Sequence, residues 1–311
     1  MSLSKMDIKK LNTIFLRIFN LTVLMSLLFL TACTGSRQSN STGSKVKIFV
    51  SILPQKYFVE KIGGSDVDVY VMVRPGQNPH SYEPTPKQMS ALSDTAIFFA
   101  IGVSFEKVWL DRIASENPKL IIISTQKGIK LRKIEAHSHS VHNGAENSEE
   151  SLDPHIWLDP VLVIQQARVI ADGLIQVLPE KRASIEANLQ SFILEMANLD
   201  EAIRNEFKGI THNSFLVFHP TWGYFSDRYG LEQIAIEQEG KEPSARHLTE
   251  IIETSKKKNI KVIFVQEQFS KTYAEAIANA IGAKVITFDP LAEDYSNNLL
   301  KTAKKMAECL K

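Results

Sequence analysis

From Val46 onward, short apolar runs of strand character alternate with longer stretches of helical period. Val67, Val69, Val71 and Val73 alternate with other residues, the two-residue period of a strand. Val46 to Ile52, Thr95 to Ile101 and Leu120 to Ser124 predict further strands, and Pro54 to Ile62 a helix stopped by Gly63-Gly64. A second set begins near Ser214. Phe215 to Phe218, Gln233 to Ile236, Lys261 to Val265 and Lys284 to Phe288 read as strands. Helical patterns at Thr221 to Tyr229, Ala245 to Lys258, Lys271 to Ala280 and Asn297 to Leu310 separate or follow them. This alternation predicts an α/β protein of two lobes, each with a mainly parallel sheet covered by helices. No residue-level repeat marks the lobes as duplicates.

One long polar-apolar pattern lies between the two sets. From Glu180 to Phe207 there is no Gly or Pro, and Ile185, Leu189, Phe192, Met196, Leu199 and Ile203 recur every three or four residues. Pro179 precedes this stretch and Gly209 follows it, the expected order at helix ends. A helix of that length would run roughly 40 Å. It suits a strut packed across both lobes, with a metal or ligand site in the cleft between them. The expected organisation is therefore an N-terminal lobe over 46–179, a linking helix over 180–209 and a C-terminal lobe over 210–311.

The start of the chain has a different pattern. Lys5, Lys9, Lys10 and Arg17 form a basic head, and Ile18 to Leu30 is nearly all apolar. That run is short of the roughly 20 residues a membrane span needs and fits the core of a signal peptide over 1–32. Leu30-Thr31-Ala32-Cys33 resembles a bacterial lipobox, so cleavage before Cys33 would leave a lipidated N-terminus. Residues 33–45, rich in Ser, Thr, Gly and Asn, read as a flexible tether. The expected location is extracytoplasmic, at the membrane surface.

Composition adds exclusions. Of 311 residues, 44% are hydrophobic and 23% charged, as in a soluble globular protein. The formal net charge of +1 argues against a nucleic-acid partner. With Cys33 lipidated, Cys309 is the one remaining cysteine, so a cysteine-ligated metal site within the chain is excluded and any metal must be held by imidazole and carboxylate. No redox Cys-x-x-Cys, phosphate-binding glycine loop or nucleophile triad motif is present.

Four positions carry the candidate chemistry. His80 follows the alternating valine strand in a turn-rich loop, and His155 sits in DPHIWLDP just before a helix. His219 ends the run Phe215 to Phe218, and Asp289 ends Lys284 to Phe288. In open α/β sheets, sites form at the carboxyl ends of strands. Three imidazoles and one carboxylate, two from each lobe, would make a four-coordinate shell suited to Zn2+. His137, His139 and His142 form a short polar cluster that could capture metal weakly. His212 and His247 are expected at the surface. Glu83 and Glu267, near the motif loops, are candidates to hydrogen-bond metal-bound rings.

RPGQNPHSYEPTP from Arg74, DPHIWLDP from Asp153, FHPTWGYFSDRYG from Phe218 and VITFDPLAEDY from Val285 resemble the ligand loops of a known family. That family is the metal-binding subunits of bacterial zinc and manganese ABC importers, the cluster A-I solute-binding proteins. The resemblance covers nearly all of the chain after the tether. It implies two lobes joined by a long helix, ligands at His80, His155, His219 and Asp289, and a monomer delivering metal to a permease driven by a separate ATPase. Members that favour manganese place a carboxylate at the third position; His219 there favours zinc, with manganese the alternative. The 137–142 cluster resembles the histidine-rich insertion of zinc importers, in shorter form. A zinc hydrolase is the rival reading, because a catalytic zinc keeps an open position for water. Against it stand Asp289 in that position and the absence of a His-Glu-x-x-His helix. An adhesin role is a second rival. With ordinary histidine pKa values near 6.5, protons should displace metal below about pH 6.

Overall fold

The computed structural model describes residues 45–134, 152–237 and 242–311. The candidates Cys33, His137, His139 and His142 lie outside the described residues, as do the signal peptide and nearly all of the tether. Among the described residues no helix is long and apolar enough to cross a membrane.

The first half runs β1 (Val46–Val50), α1 (Leu53–Gly63), β2 (Val67–Val71), α2 (Pro86–Ala91), β3 (Ile97–Ala100), α3 (Ser104–Glu116) and β4 (Ile121–Ser124). Then come α4 (Pro160–Val177) and α5 (Arg182–Glu206). The second half runs β5 (Ser214–Val217), α6 (Gly223–Tyr229), β6 (Glu232–Ala235), α7 (Ala245–Lys257), β7 (Val262–Gln266), α8 (Thr272–Ile281), β8 (Lys284–Phe288) and α9 (Tyr295–Leu310). The expected strands and helices are present, with ends shifted by a few residues. The pattern reading passed over α2 and α3.

Both sheets are parallel and share one plan, β2-β1-β3-β4 and β6-β5-β7-β8. In the first, Ile48 pairs with Val69 on one side and Ile97 on the other. In the second, Leu216 pairs with Ile234 and Ile263. Parallel strands need helical crossovers, so both faces of each sheet are covered and the strands read as apolar runs. In the second sheet this burial separates cleanly by residue parity. Phe215, Val217, Val262, Phe264 and Phe288 join the large core shared with the first half, while Leu216, Phe218, Ile263 and Val265 form a separate cluster under α7 and α8.

The long apolar stripe is a helix of 25 residues, α5, preceded by a short 3-10 turn at Pro179–Lys181. Its six expected apolar residues, Ile185 through Ile203, are all buried. It packs against α1 and α4 from the first half and α9 from the second. Phe192 on α5 and Tyr295 on α9 both meet Phe58 of α1. At about 1.5 Å per residue it is a rod of roughly 38 Å, and it holds the two sheets in one core.

Local rules set the elements that approach the site. Asp159 caps α4, accepting from the Val161 amide at 2.8 Å, with Pro160 in the first turn. The same carboxylate oxygen accepts from Arg228 Nε of α6 at 2.8 Å, tying the segment before α4 to the second half. Gly102, just after β3, has φ +88°, and the Gln126 amide would lie 2.3 Å from any Cβ there, so the turn requires glycine.

Candidate metal centre

His80, His155 and His219 converge. One ring nitrogen from each lies within 4.8 Å of the others, and ring centroids are 4.6 to 5.8 Å apart. They enclose a cavity of about 20 Å3, also walled by Trp157, Phe269 and Leu291. That is room for about one water-sized sphere.

Each ring is fixed from behind through Nδ1. His80 sits on the loop after β2, where its amide donates to Asn78 Oδ1 at 2.9 Å, and its Nδ1 lies 2.9 Å from Ser104 Oγ at the start of α3. Asp153 Oδ1 accepts from the His155 amide at 2.9 Å and faces His155 Nδ1 at 2.7 Å. His219 follows β5 directly, and its Nδ1 lies 2.6 Å from Glu237 Oε1, just past the end of β6. Gln266, the last residue of β7, donates from Nε2 to the His219 carbonyl at 2.8 Å and to Thr221 Oγ1 at 3.2 Å. With each Nδ1–H donated backwards, Nε2 carries the lone pair that faces the cavity. The His219 Nε2 is buried and has no hydrogen-bond partner. A buried nitrogen lone pair left unpaired costs free energy unless something fills its place.

The electrostatics suit a cation. Burial pushes His80 down to about 2, and the neighbouring rings of His219 and His155 push the same way. Burial also lowers His155, although Asp153 opposes it. Both rings are therefore neutral at ordinary pH and ready to bind metal. The competition by protons expected below about pH 6 took all the imidazoles as unperturbed; at His80 and His155 burial shifts the ring downward. Behind the rings, the Asp153 and Glu237 carboxylates are almost fully buried. A divalent cation at the cavity would offset both.

Asp289 is not brought into this cluster. Among the described residues no carboxylate oxygen shares the mutual 4.8 Å spacing of the three nitrogens. Asp289 stands at the rim, its Oδ1 accepting from the Leu291 amide at 2.9 Å and from Gln268 Nε2 at 3.3 Å, while Pro290 and Leu291 line the cavity. The expected ring partners are also corrected. Glu83 and Glu267 are exposed, and Ser104, Asp153 and Glu237 hold the rings instead. Asp153 lay inside a quoted motif, one turn from His155. Ser104 and Glu237 are separated from their rings by 24 and 18 residues and gave no local signal. His247, expected at the surface, is buried on the inward face of α7, where Ser244 caps its amide. His212 is half-buried.

Two parallel-sheet lobes on a single helical strut, with three imidazoles around a one-ion cavity, define a metal-binding protein of the two-lobed α/β type. The chain belongs to the ZnuA family, zinc-uptake complex component A (periplasmic), whose model matches residues 48–309. It is 29% identical over 276 residues to the zinc-binding lipoprotein AdcA of Streptococcus pneumoniae, covering 85% of this chain and 53% of AdcA. The chain thus spans about half the length of that relative. It is 27% identical to the high-affinity zinc uptake system protein ZnuA of Bacillus subtilis, over 85% of each chain. Among solved structures, a zinc-bound deletion mutant of ZnuA superimposes with a TM-score of 0.79 at 40% identity, covering 86% of this chain and 98% of that one.

Proposed function

We propose that this protein is an extracytoplasmic receptor that binds Zn2+ and delivers it to an ABC-type permease with its own ATPase. The observation that carries the reading is the set of three imidazoles, each anchored through Nδ1, around a cavity the size of one ion. Nitrogen-rich shells suit zinc over manganese, and a carboxylate at the third position would have reversed that preference. His80, His155 and His219 are the proposed ligands. Asp289 is the proposed fourth: it directly precedes the lining residue Pro290, and among the described residues its Oδ2 makes no hydrogen bond. The relatives named for zinc binding and zinc uptake support the same cargo.

Binding here is capture without chemistry. The imidazoles supply lone pairs, and Asp289 would offset half of the double charge. Trp157, Phe269 and Leu291 exclude bulk water from the cavity. We place the lipid at Cys33 and the tether at 33–45, so that capture occurs beside the permease. His137, His139 and His142 would collect zinc ahead of the cleft.

The test is metal content and competition on the purified chain. One zinc per chain, retained against excess manganese and lost in His219→Ala, is the expected result. Preferential retention of manganese would keep the receptor and overturn the cargo. The absence of any stoichiometric metal would overturn the function.

A further inference from the structure

His155 belongs to the first lobe and Asp289 to the second, and Trp157 ties their loops together. Trp157 stands in the short 3-10 turn Ile156–Leu158 that follows His155. It is 1% exposed, and its ring centroid lies 5.1 Å from that of His155. Its indole Nε1 donates to the Pro290 carbonyl at 2.9 Å, a buried bond between residues 133 apart in the chain. Tyr295, the first residue of α9, returns the contact: its hydroxyl donates to the Trp157 carbonyl at 2.7 Å. Both Trp157 and Pro290 line the metal cavity, and Pro290 directly follows Asp289.

The other bonds to Asp289 come from its own lobe. Its carbonyl accepts from Asn298 Nδ2 at 2.8 Å, and its Oδ1 accepts from the Leu291 amide and from Gln268 Nε2. These place Asp289 within the second lobe and say nothing of its distance from His155. Lys56 of α1 does reach Glu293 further along the same loop, but that pair is exposed to solvent and contributes little. The indole bond is buried, and removing its donor would leave the Pro290 carbonyl unpaired away from water. Zinc ligands must sit at about 2.0–2.2 Å, so the register between the two loops decides whether a carboxylate at the rim can hold the ion.

We propose that Trp157 is a cross-lobe positioning residue for Asp289: its indole N–H fixes the Asp289 loop against the His155 turn and so sets how long the ion is held. This role rests on Asp289 being the fourth zinc ligand. The indole N–H is a donor with no lone pair to offer a cation, so Trp157 acts through the loop.

The experiment uses the full chain, Trp157→Phe, Asp289→Asn and the double variant. A fourth protein carries benzothienylalanine at position 157, which keeps the two-ring shape of tryptophan and deletes only the donor. Melting temperatures of the metal-free proteins report folding, and the benzothienyl protein serves if Trp157→Phe does not fold. Zinc release into excess chelator is followed by stopped flow. Loss of the donor should speed release roughly tenfold, and Asp289→Asn should speed it at least as much. In the Asp289→Asn background, loss of the donor should add less than about twofold, because the carboxylate it positions is gone. X-ray absorption of the zinc-loaded benzothienyl protein should keep three imidazole nitrogens and show a lost or lengthened oxygen contact. Release at the wild-type rate without the donor, or the full tenfold effect retained in the Asp289→Asn background, overturns the proposal and leaves the zinc receptor standing. Wild-type release from Asp289→Asn removes the fourth ligand and this role with it, whereas a wild-type chain that binds no zinc overturns the receptor itself.

Discussion

The two sheets share one strand order and parallel pairing throughout, yet they serve the metal cavity differently. In the second lobe three of the four strand ends serve the cluster, His219 after β5, Glu237 after β6 and Gln266 at the end of β7, and Asp289 follows the fourth, β8. In the first lobe the proposed ligand His80 stands on a long loop after β2 and leans on a serine hydroxyl, while His155 is held by the buried carboxylate of Asp153. Another buried carboxylate of that lobe, Glu106, holds backbone: it accepts from the amides of Ile101 and Gly102 and from Ser51 Oγ. The second lobe's counterpart, Glu237, holds a histidine. One topology therefore gives each lobe one ring held by a buried carboxylate, His155 and His219, and the first lobe a third ring, His80, held by a hydroxyl. The difference lies in loop length and in whether a carboxylate or a hydroxyl grips the ring.

The cores differ in the same sense. The first sheet shares its core with α5 and with the inner face of the second sheet, whereas the outer face of the second sheet packs by itself under α7 and α8.

The strongest way to break the comparison is to remove ligands. His219→Ala and His155→Ala should each abolish tight zinc binding, while His80→Ala, from the more adaptable loop, should leave weak residual binding by competition titration. Equal losses at all three positions would erase the distinction between the carboxylate-held rings and the loop-borne one. Next comes the shared core: Phe192→Ala on the strut should cost about 3–5 kcal/mol in chemical denaturation. Loss of one lobe's signal alone would show that the strut does not join the two. Asp153→Asn and Glu237→Gln should each weaken zinc binding by about 10–100-fold. Ser104→Ala, which removes a neutral partner, should cost less. The smallest effect is on pH. Burial raises the Glu106 carboxyl above 4.5, so between 4.5 and its folded value the native state holds a proton that the unfolded chain has released. Stability should therefore fall as pH rises through that window, and Glu106→Gln should flatten the slope in metal-free melts.

Much of this architecture was legible because parallel strands and the strut bury whole runs or a clean stripe. The six apolar residues of α5 are a direct readout of one buried face. By contrast, α3 buries only Phe105, Glu106 and Ile113 while exposing Val108, so its apolar positions do not mark its packed face. The three histidines could be found because strand ends and proline-bounded loops are where α/β sites form. Their supports could not: Glu237 reaches His219 across neighbouring strands, and Ser104 reaches His80 from a different loop. Both contacts arise from tertiary packing alone. The inward turn of His247 has the same origin, since it depends on which face of α7 meets the sheet.

The most direct measurement is X-ray absorption at the zinc edge of the metal-loaded chain. Three imidazole nitrogens and one oxygen at about 2.0–2.2 Å, with no stoichiometric zinc retained by His219→Ala, is the expected result. Two or fewer imidazoles in the wild-type chain, or a spectrum unchanged by His219→Ala, would contradict the site described here.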